Sequence, residues 1–79
     1  MQNKESKIYR FSIVVEKDQD GYFAFCPELQ GCYTQGVSYE EALGNIKDAI
    51  QLHLLDRIDA GEEIHQPESI SLTSLEVAV

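Results

Sequence analysis
A chain of 79 residues, 43% of them hydrophobic, can enclose one small core and buries a smaller share of its surface than a larger protein, so self-association or a partner would help to stabilise it. Its 14 acidic and 6 basic residues give a formal charge of -8, which argues against direct RNA or DNA binding because phosphate backbones are held by clustered Lys and Arg. No apolar run approaches the roughly 20 residues of a membrane-spanning helix, and Met1-Gln2-Asn3-Lys4-Glu5 leads into no signal-like apolar core, so a soluble cytoplasmic protein is expected.

After a polar tail over residues 1–7, Tyr9, Phe11, Ile13 and Val15 alternate with Arg10, Ser12, Val14 and Glu16, the two-residue period of a strand with one buried face. Asp18-Gln19-Asp20-Gly21 supplies a turn in which Gly21 is free to take a positive φ, and a second strand is expected from Tyr22 to Cys26. Pro27 has no amide to donate to a ladder and ends that strand; Glu28 to Gly31 then turns the chain into a short third strand, Cys32 to Gln35. The three strands make an antiparallel meander.

Gly36 breaks the third strand, and Ser38-Tyr39-Glu40-Glu41 reads as a capping box. The Ser38 hydroxyl is expected to accept from the Glu41 amide while the Glu41 carboxylate reaches back to the Ser38 amide. The helix should start at Tyr39, carry Ala42, Leu43, Ile46, Ala49, Ile50, Leu54 and Ile58 as its apolar stripe, and stop at Gly61. About 22 residues at 1.5 Å each make a helix of about 33 Å, long enough for its far end to overhang so small a sheet. Gly44 costs about 1 kcal/mol relative to Ala in a helix interior, which implies either close backbone packing there or a destabilisation that is simply tolerated.

Glu62 to Ser69 is a polar connection containing Pro67, and Ile70 to Val79 alternates again with a change of apolar phase between Leu72 and Leu75, which implies a bulge or a bend. A strand reached through a helix usually returns parallel with a right-handed crossover, so this last strand is expected beside the first, in the order 3-2-1-4. The expected fold is α+β, a β-β-β-α-β domain over residues 1–79 with one helix on one sheet face.

This order resembles the core of the RNase H fold, where carboxylates on the first strand, the helix and the fourth strand hold two metal ions. Here the first strand offers only Glu16, near its end, and the last only Glu76, so a metal-dependent nuclease is the weakest of the functional readings. The D-Q-D-G run lacks the later ligands of an EF-hand loop, His53 and His65 have no nucleophile at a recognisable spacing, and capping accounts for Ser38. Cys26 and Cys32 flank a turn with no His at zinc spacing and are expected as buried, reduced thiols. No enzymatic activity, cofactor or metal is expected.

Four matching pieces follow one another in order: E-K-D-Q-D-G-Y-F-A at Glu16 to Ala24, P-E-L-Q-G-C at Pro27 to Cys32, T-Q-G at Thr34 to Gly36, and S-Y-E-E-A-L at Ser38 to Leu43. Each is weak alone; together, at these spacings, they resemble the HicB family of antitoxins, and P-E-S at Pro67 to Ser69 extends the likeness. The resemblance implies a partly degenerate RNase H-like domain that binds a basic HicA-type toxin, an mRNA-cleaving protein, and masks its catalytic histidine. It also implies self-association into a homo-oligomer. Longer members carry a C-terminal DNA-binding domain; the chain ends at Val79 and is expected to lack one.

Four of the six bases (Lys4, Lys7, Arg10, Lys17) lie in the first 17 residues, whereas from Asp18 onward only Lys47 and Arg57 oppose twelve acids. That field would attract a basic protein and speed its encounter, although acidity that serves only solubility is the plainer alternative. The expected partner contacts are the acidic loops, with Asp18, Asp20, Glu28 and Gln30, and the anchors Tyr22, Phe23 and Pro27. Phe23 shares a strand face with Phe25 and is assigned first to the core, which leaves Tyr22 as the better contact. The alternative to an antitoxin is a stand-alone HicB-like interaction or oligomerisation module without a toxin.

Overall fold
The structure, a computed structural model, describes residues 7–79; of the expected polar tail only Lys7 falls within it, and residues 1–6 lie outside the described residues. The first turn is set by two residues. Asp18 Oδ1 accepts from the Asp20 amide at 2.8 Å, and Gly21 takes a φ of 132°, a region that side-chain-bearing residues rarely adopt. The turn joins β1 (Val14–Asp18) to β2 (Gly21–Phe25) in antiparallel register from Asp18↔Gly21 to Val14↔Phe25.

Pro27 ends β2 as expected, and the chain reverses through a compact turn. The Cys26 amide donates to Cys32 O at 3.0 Å, the Leu29 amide to Cys26 O at 3.1 Å, and the Cys32 amide to Leu29 O at 3.2 Å. Leu29 is thereby folded under the turn into the core. β3 (Tyr33–Gly36) follows and pairs antiparallel with β2, so the sheet order is β1-β2-β3.

Helix α1 (Tyr39–Asp59) starts where the cap signal places it. The Ser38 hydroxyl accepts from the Glu41 amide at 3.0 Å, but the Glu41 carboxylate bonds the Val37 amide, at 2.6 Å, in place of the Ser38 amide expected from the sequence. The helix ends at Ala60, and Gly61, at φ 75°, donates to Ile58 O at 3.0 Å. Of its stripe only Ala42 and Ile46 are buried, with Leu43, Ala49 and Ile50 packed partly against them. Leu52, Leu55 and Ile58 are exposed, so the second half of α1 does overhang the sheet.

The core is small: Ala24, Cys26, Leu29, Cys32, Ala42 and Ile46. Small residues on β2 and β3 let the helix come close. Thr34 Oγ1 donates to Ala42 O at 3.4 Å, and Asn45 Nδ2 donates to Gln35 O at 2.8 Å, tying α1 to β3.

Two expectations are corrected. The first strand begins at Val14, not Tyr9, because the partner strand has already ended: beyond the Val14↔Phe25 pair, β2 gives way to Cys26 and Pro27. Phe11 and Ile13 nevertheless pack against the core with Val15, so the alternation marked the buried face correctly. Secondly, residues 70–79 form no strand. Helix α1 lies mainly over β3 and β2 and touches β1 least, so a strand outside β1 has no helix above it to cover its apolar side chains. Leu72, Leu75 and Val77 stand at least 80% exposed.

Candidate functional site
Strand alternation sorts the sheet residues onto two faces. Val15 and Lys17 on β1, Tyr22 and Ala24 on β2, and Thr34 and Gly36 on β3 face α1, as the pairings Val15↔Ala24↔Thr34 and Lys17↔Tyr22↔Gly36 require. The opposite face carries Val14, Glu16 and Asp18, then Phe23 and Phe25, then Tyr33 and Gln35. No element covers that face among the described residues.

Three aromatic rings dominate it. Phe23 lies 6.2 Å from Phe25 and 5.7 Å from Tyr33 between ring centroids, in tilted arrangements that favour aromatic contact. Phe23 and Phe25 are half-buried and Tyr33 is 61% exposed. With Pro27 and Gln30 these rings line an open groove of about 460 Å³ running from the sheet onto the β2–β3 turn.

The assignment of Phe23 to the core is therefore corrected. The helix packs on the side of Ala24, and the bulky residues of Tyr22-Phe23-Ala24-Phe25 are left on the other side except for Tyr22. Tyr22 itself packs towards α1, edge-on to Tyr39 at 6.4 Å and under the Lys17 ammonium at 5.8 Å. It is half-buried on the helix side and does not join the aromatic groove.

The remaining expected contacts separate into two groups. Asp18 and Asp20 sit exposed at the hairpin, where β2 begins, whereas Pro27, Glu28 and Gln30 sit beyond its end. Four residue steps of about 3.3 Å put about 13 Å of strand between them, so the two acidic loops do not form one patch. Pro27 and Gln30 are exposed beside Phe23. Glu28 is engaged within the chain: both its carboxylate oxygens accept from the Ser12 amide at 3.1 Å, and the Cys26 thiol lies 3.5 Å from Oε1.

The sequence reading missed Phe25, Tyr33 and Glu16 as surface-forming residues. A signal for them existed: Ala24, Thr34 and Gly36 put small residues on one face of β2 and β3, and a close-packed helix seats its own small residue, Ala42, over such a face.

Cys26 and Cys32 are free and buried. Burial pushes the Cys26 thiol up to about 11, with the Glu28 carboxylate adding to the rise, and burial raises Cys32 as well. Both thiols stay protonated and unreactive near neutral pH. Among the described residues no group of three or more His, Cys, Asp or Glu side chains is placed to hold a metal ion, and no helix is long and apolar enough to cross a membrane.

Residues 11–77 match a family described as the HicB-like antitoxin of bacterial toxin-antitoxin systems. Among relatives, a UPF0150 protein of Helicobacter pylori is 67% identical over 43 residues, 54% of this chain and 60% of that protein, so the chain spans less than two thirds of its length. A UPF0150 protein of Synechocystis is 45% identical over 77% of this chain and 73% of its own length. One from Archaeoglobus fulgidus is 38% identical over 86% of this chain and 94% of its own. No solved structure matches the chain.

Proposed function
The chain belongs to the HicB-like antitoxin family, and from that premise we propose that it is the inhibitory half of a bacterial toxin-antitoxin pair, a cytoplasmic protein that binds a basic, mRNA-cleaving HicA-type toxin and masks its active site. The family match over residues 11–77 carries the reading, and the formal charge of -8 supports it, since an acidic surface attracts a basic ribonuclease and repels the RNA it cuts. Inhibition by occupation needs no catalytic group on this chain; a surface that excludes RNA from the toxin suffices.

We also propose self-association and a completed sheet. Leu52, Leu55 and Ile58, exposed at i, i+3 and i+6 on the overhanging half of α1, suit pairing with a second copy. The Gln66 side-chain amide donates to Arg10 O, and the chain then borders Ser12 and Val14 at Ile70 and Leu72, running in the direction of β1. A fourth strand formed there once a second copy or a partner covers its apolar side chains would be parallel and would give the partial RNase H-like order.

The test is reconstitution. The toxin encoded beside this chain's gene is expected to cleave RNA alone and to stop at a stoichiometric amount of this protein, with inhibition weakening as salt rises. An adjacent frame with no such toxin, and no effect of the chain on RNA cleavage, would favour the stand-alone interaction module instead.

A further inference from the structure
We infer that the sheet face opposite α1, centred on Phe23, Phe25 and Tyr33 and edged by Glu16 and Asp18, is the surface on which the basic toxin docks; the inference rests on the antitoxin reading and assigns that reading a site. The face combines what a protein interface needs. Two half-buried rings and one largely exposed ring provide rigid apolar area at little cost in side-chain entropy, and they lie together, with no helix or strand of the described chain over them and only Ile70 to Leu72 bordering the Phe25 end. The adjoining groove of about 460 Å³ gives a partner's side chain somewhere to enter.

Charge selects the occupant. The three strands hold one basic residue, Lys17, and strand parity places it on the helix side, over the Tyr22 ring. Within the three strands the open face therefore carries carboxylates on β1, aromatic rings on β2 and β3, and no cation; Arg10 lies beyond the start of β1, beside Ser12 and Glu28. Lys or Arg of a basic partner can reach Glu16 and Asp18 along one edge while its apolar or guanidinium surfaces lie on the rings. A second copy would bring the same carboxylates and no base on the strands of its own open face to meet them, which disfavours self-pairing through this face.

The hairpin and the β2–β3 turn then take different parts from those expected of two equal acidic loops. Asp18 continues the acidic edge of the face, Pro27 and Gln30 border its groove, and Glu28 is held within the fold by the Ser12 amide. The face, not the loop pair, is the continuous surface.

The full chain is titrated with the purified toxin encoded beside its gene, with binding followed by calorimetry and each variant's fold checked by circular dichroism. Glu16→Lys with Asp18→Lys, and separately Phe23→Ser with Tyr33→Ser, are each expected to weaken binding at least about tenfold, whereas Asp48→Lys on α1 should change it less than about threefold. In the wild-type protein, which bypasses any folding defect, the ring resonances of Phe23 and Tyr33 should shift on adding toxin. Toxin binding that leaves those rings and both face variants unaffected overturns the inference while the antitoxin reading stands. Loss of self-association in the Phe23/Tyr33 variant with toxin affinity unchanged also overturns it, by making the face a contact between copies. No binding by the wild-type chain at all removes the antitoxin reading and this site with it.

Discussion
Gly36 ends β3 so close to the first turns of α1 that a Cβ on it would lie 2.5 Å from the Ala42 amide nitrogen and 3.0 Å from its Cα. Both neighbours are backbone, so no side chain can yield to make room. Gly36→Ala must lift α1 off the sheet and is expected to destabilise the fold by about 2–3 kcal/mol. Gly44 is the contrast: it is exposed within α1 and nothing lies within 4 Å of its added Cβ. Its helix penalty is simply tolerated, and Gly44→Ala should stabilise by about 0.5–1 kcal/mol. Urea midpoints moving in opposite directions for the two variants would bear this out; equal shifts would not.

Those two glycines show where local sequence rules stop. The turn at Gly21, the break at Pro27, the cap at Ser38 and the stop at Gly61 each follow from the chemistry of a few adjacent residues, and each stands where expected. Gly36 and Gly44 look alike in sequence, and only the distance between sheet and helix separates them. The same is true of Phe23: alternation groups it with Phe25 but cannot say which face the helix will choose. The last ten residues differ for a related reason: their alternation fits a strand, but a strand also needs a layer to cover it, and α1 lies over β3 and β2 and least over β1.

The N-terminal cap of α1 divides its work between two side chains. Ser38 Oγ accepts from the Glu41 amide, and Glu41 Oε1 accepts from the Val37 amide. Ser38→Ala is expected to cost about 1 kcal/mol. Glu41→Gln retains an acceptor but loses the charge that favours a helix N-terminus, and should cost less, about 0.5 kcal/mol. Thermal melts of the two single variants would check the order; a larger loss for Glu41→Gln would contradict it.

The buried thiols make stability fall at high pH. In the folded state Cys26 is raised from 9.0 to about 11, so the native chain holds its proton more tightly than the unfolded one. The stabilisation is complete below the unfolded value, declines above it and is lost as pH passes the folded value. Urea midpoints should therefore drop from pH 9 towards pH 11, and the drop should be shallower in Cys26→Ala. Below that range a disulfide reagent such as Ellman's should label neither Cys26 nor Cys32 until the protein unfolds. Fast labelling of the native chain would mean that the turn opens readily.

Glu28 separates a structural part from a binding one. Its two carboxylate oxygens receive the Ser12 amide at the point where the β1–β2 ladder has run out, beyond which Pro27 has no amide hydrogen to offer in return. The carboxylate thus continues by side chain a pairing that the backbone cannot make, and it fixes the extended run Phe11 to Ile13 against the core. Glu28→Ala leaves the half-buried Ser12 amide without that partner and is expected to cost about 1–3 kcal/mol, with faster amide exchange confined to the residues before β1. Glu28→Gln keeps one acceptor oxygen and should recover part of the loss. Because the side chain is committed inward, toxin affinity in Glu28→Gln should stay within about threefold of wild type once the folded fraction is accounted for. A variant that is fully stable yet binds far more weakly would place Glu28 in the interface and return the β2–β3 turn to the role of an acidic contact loop.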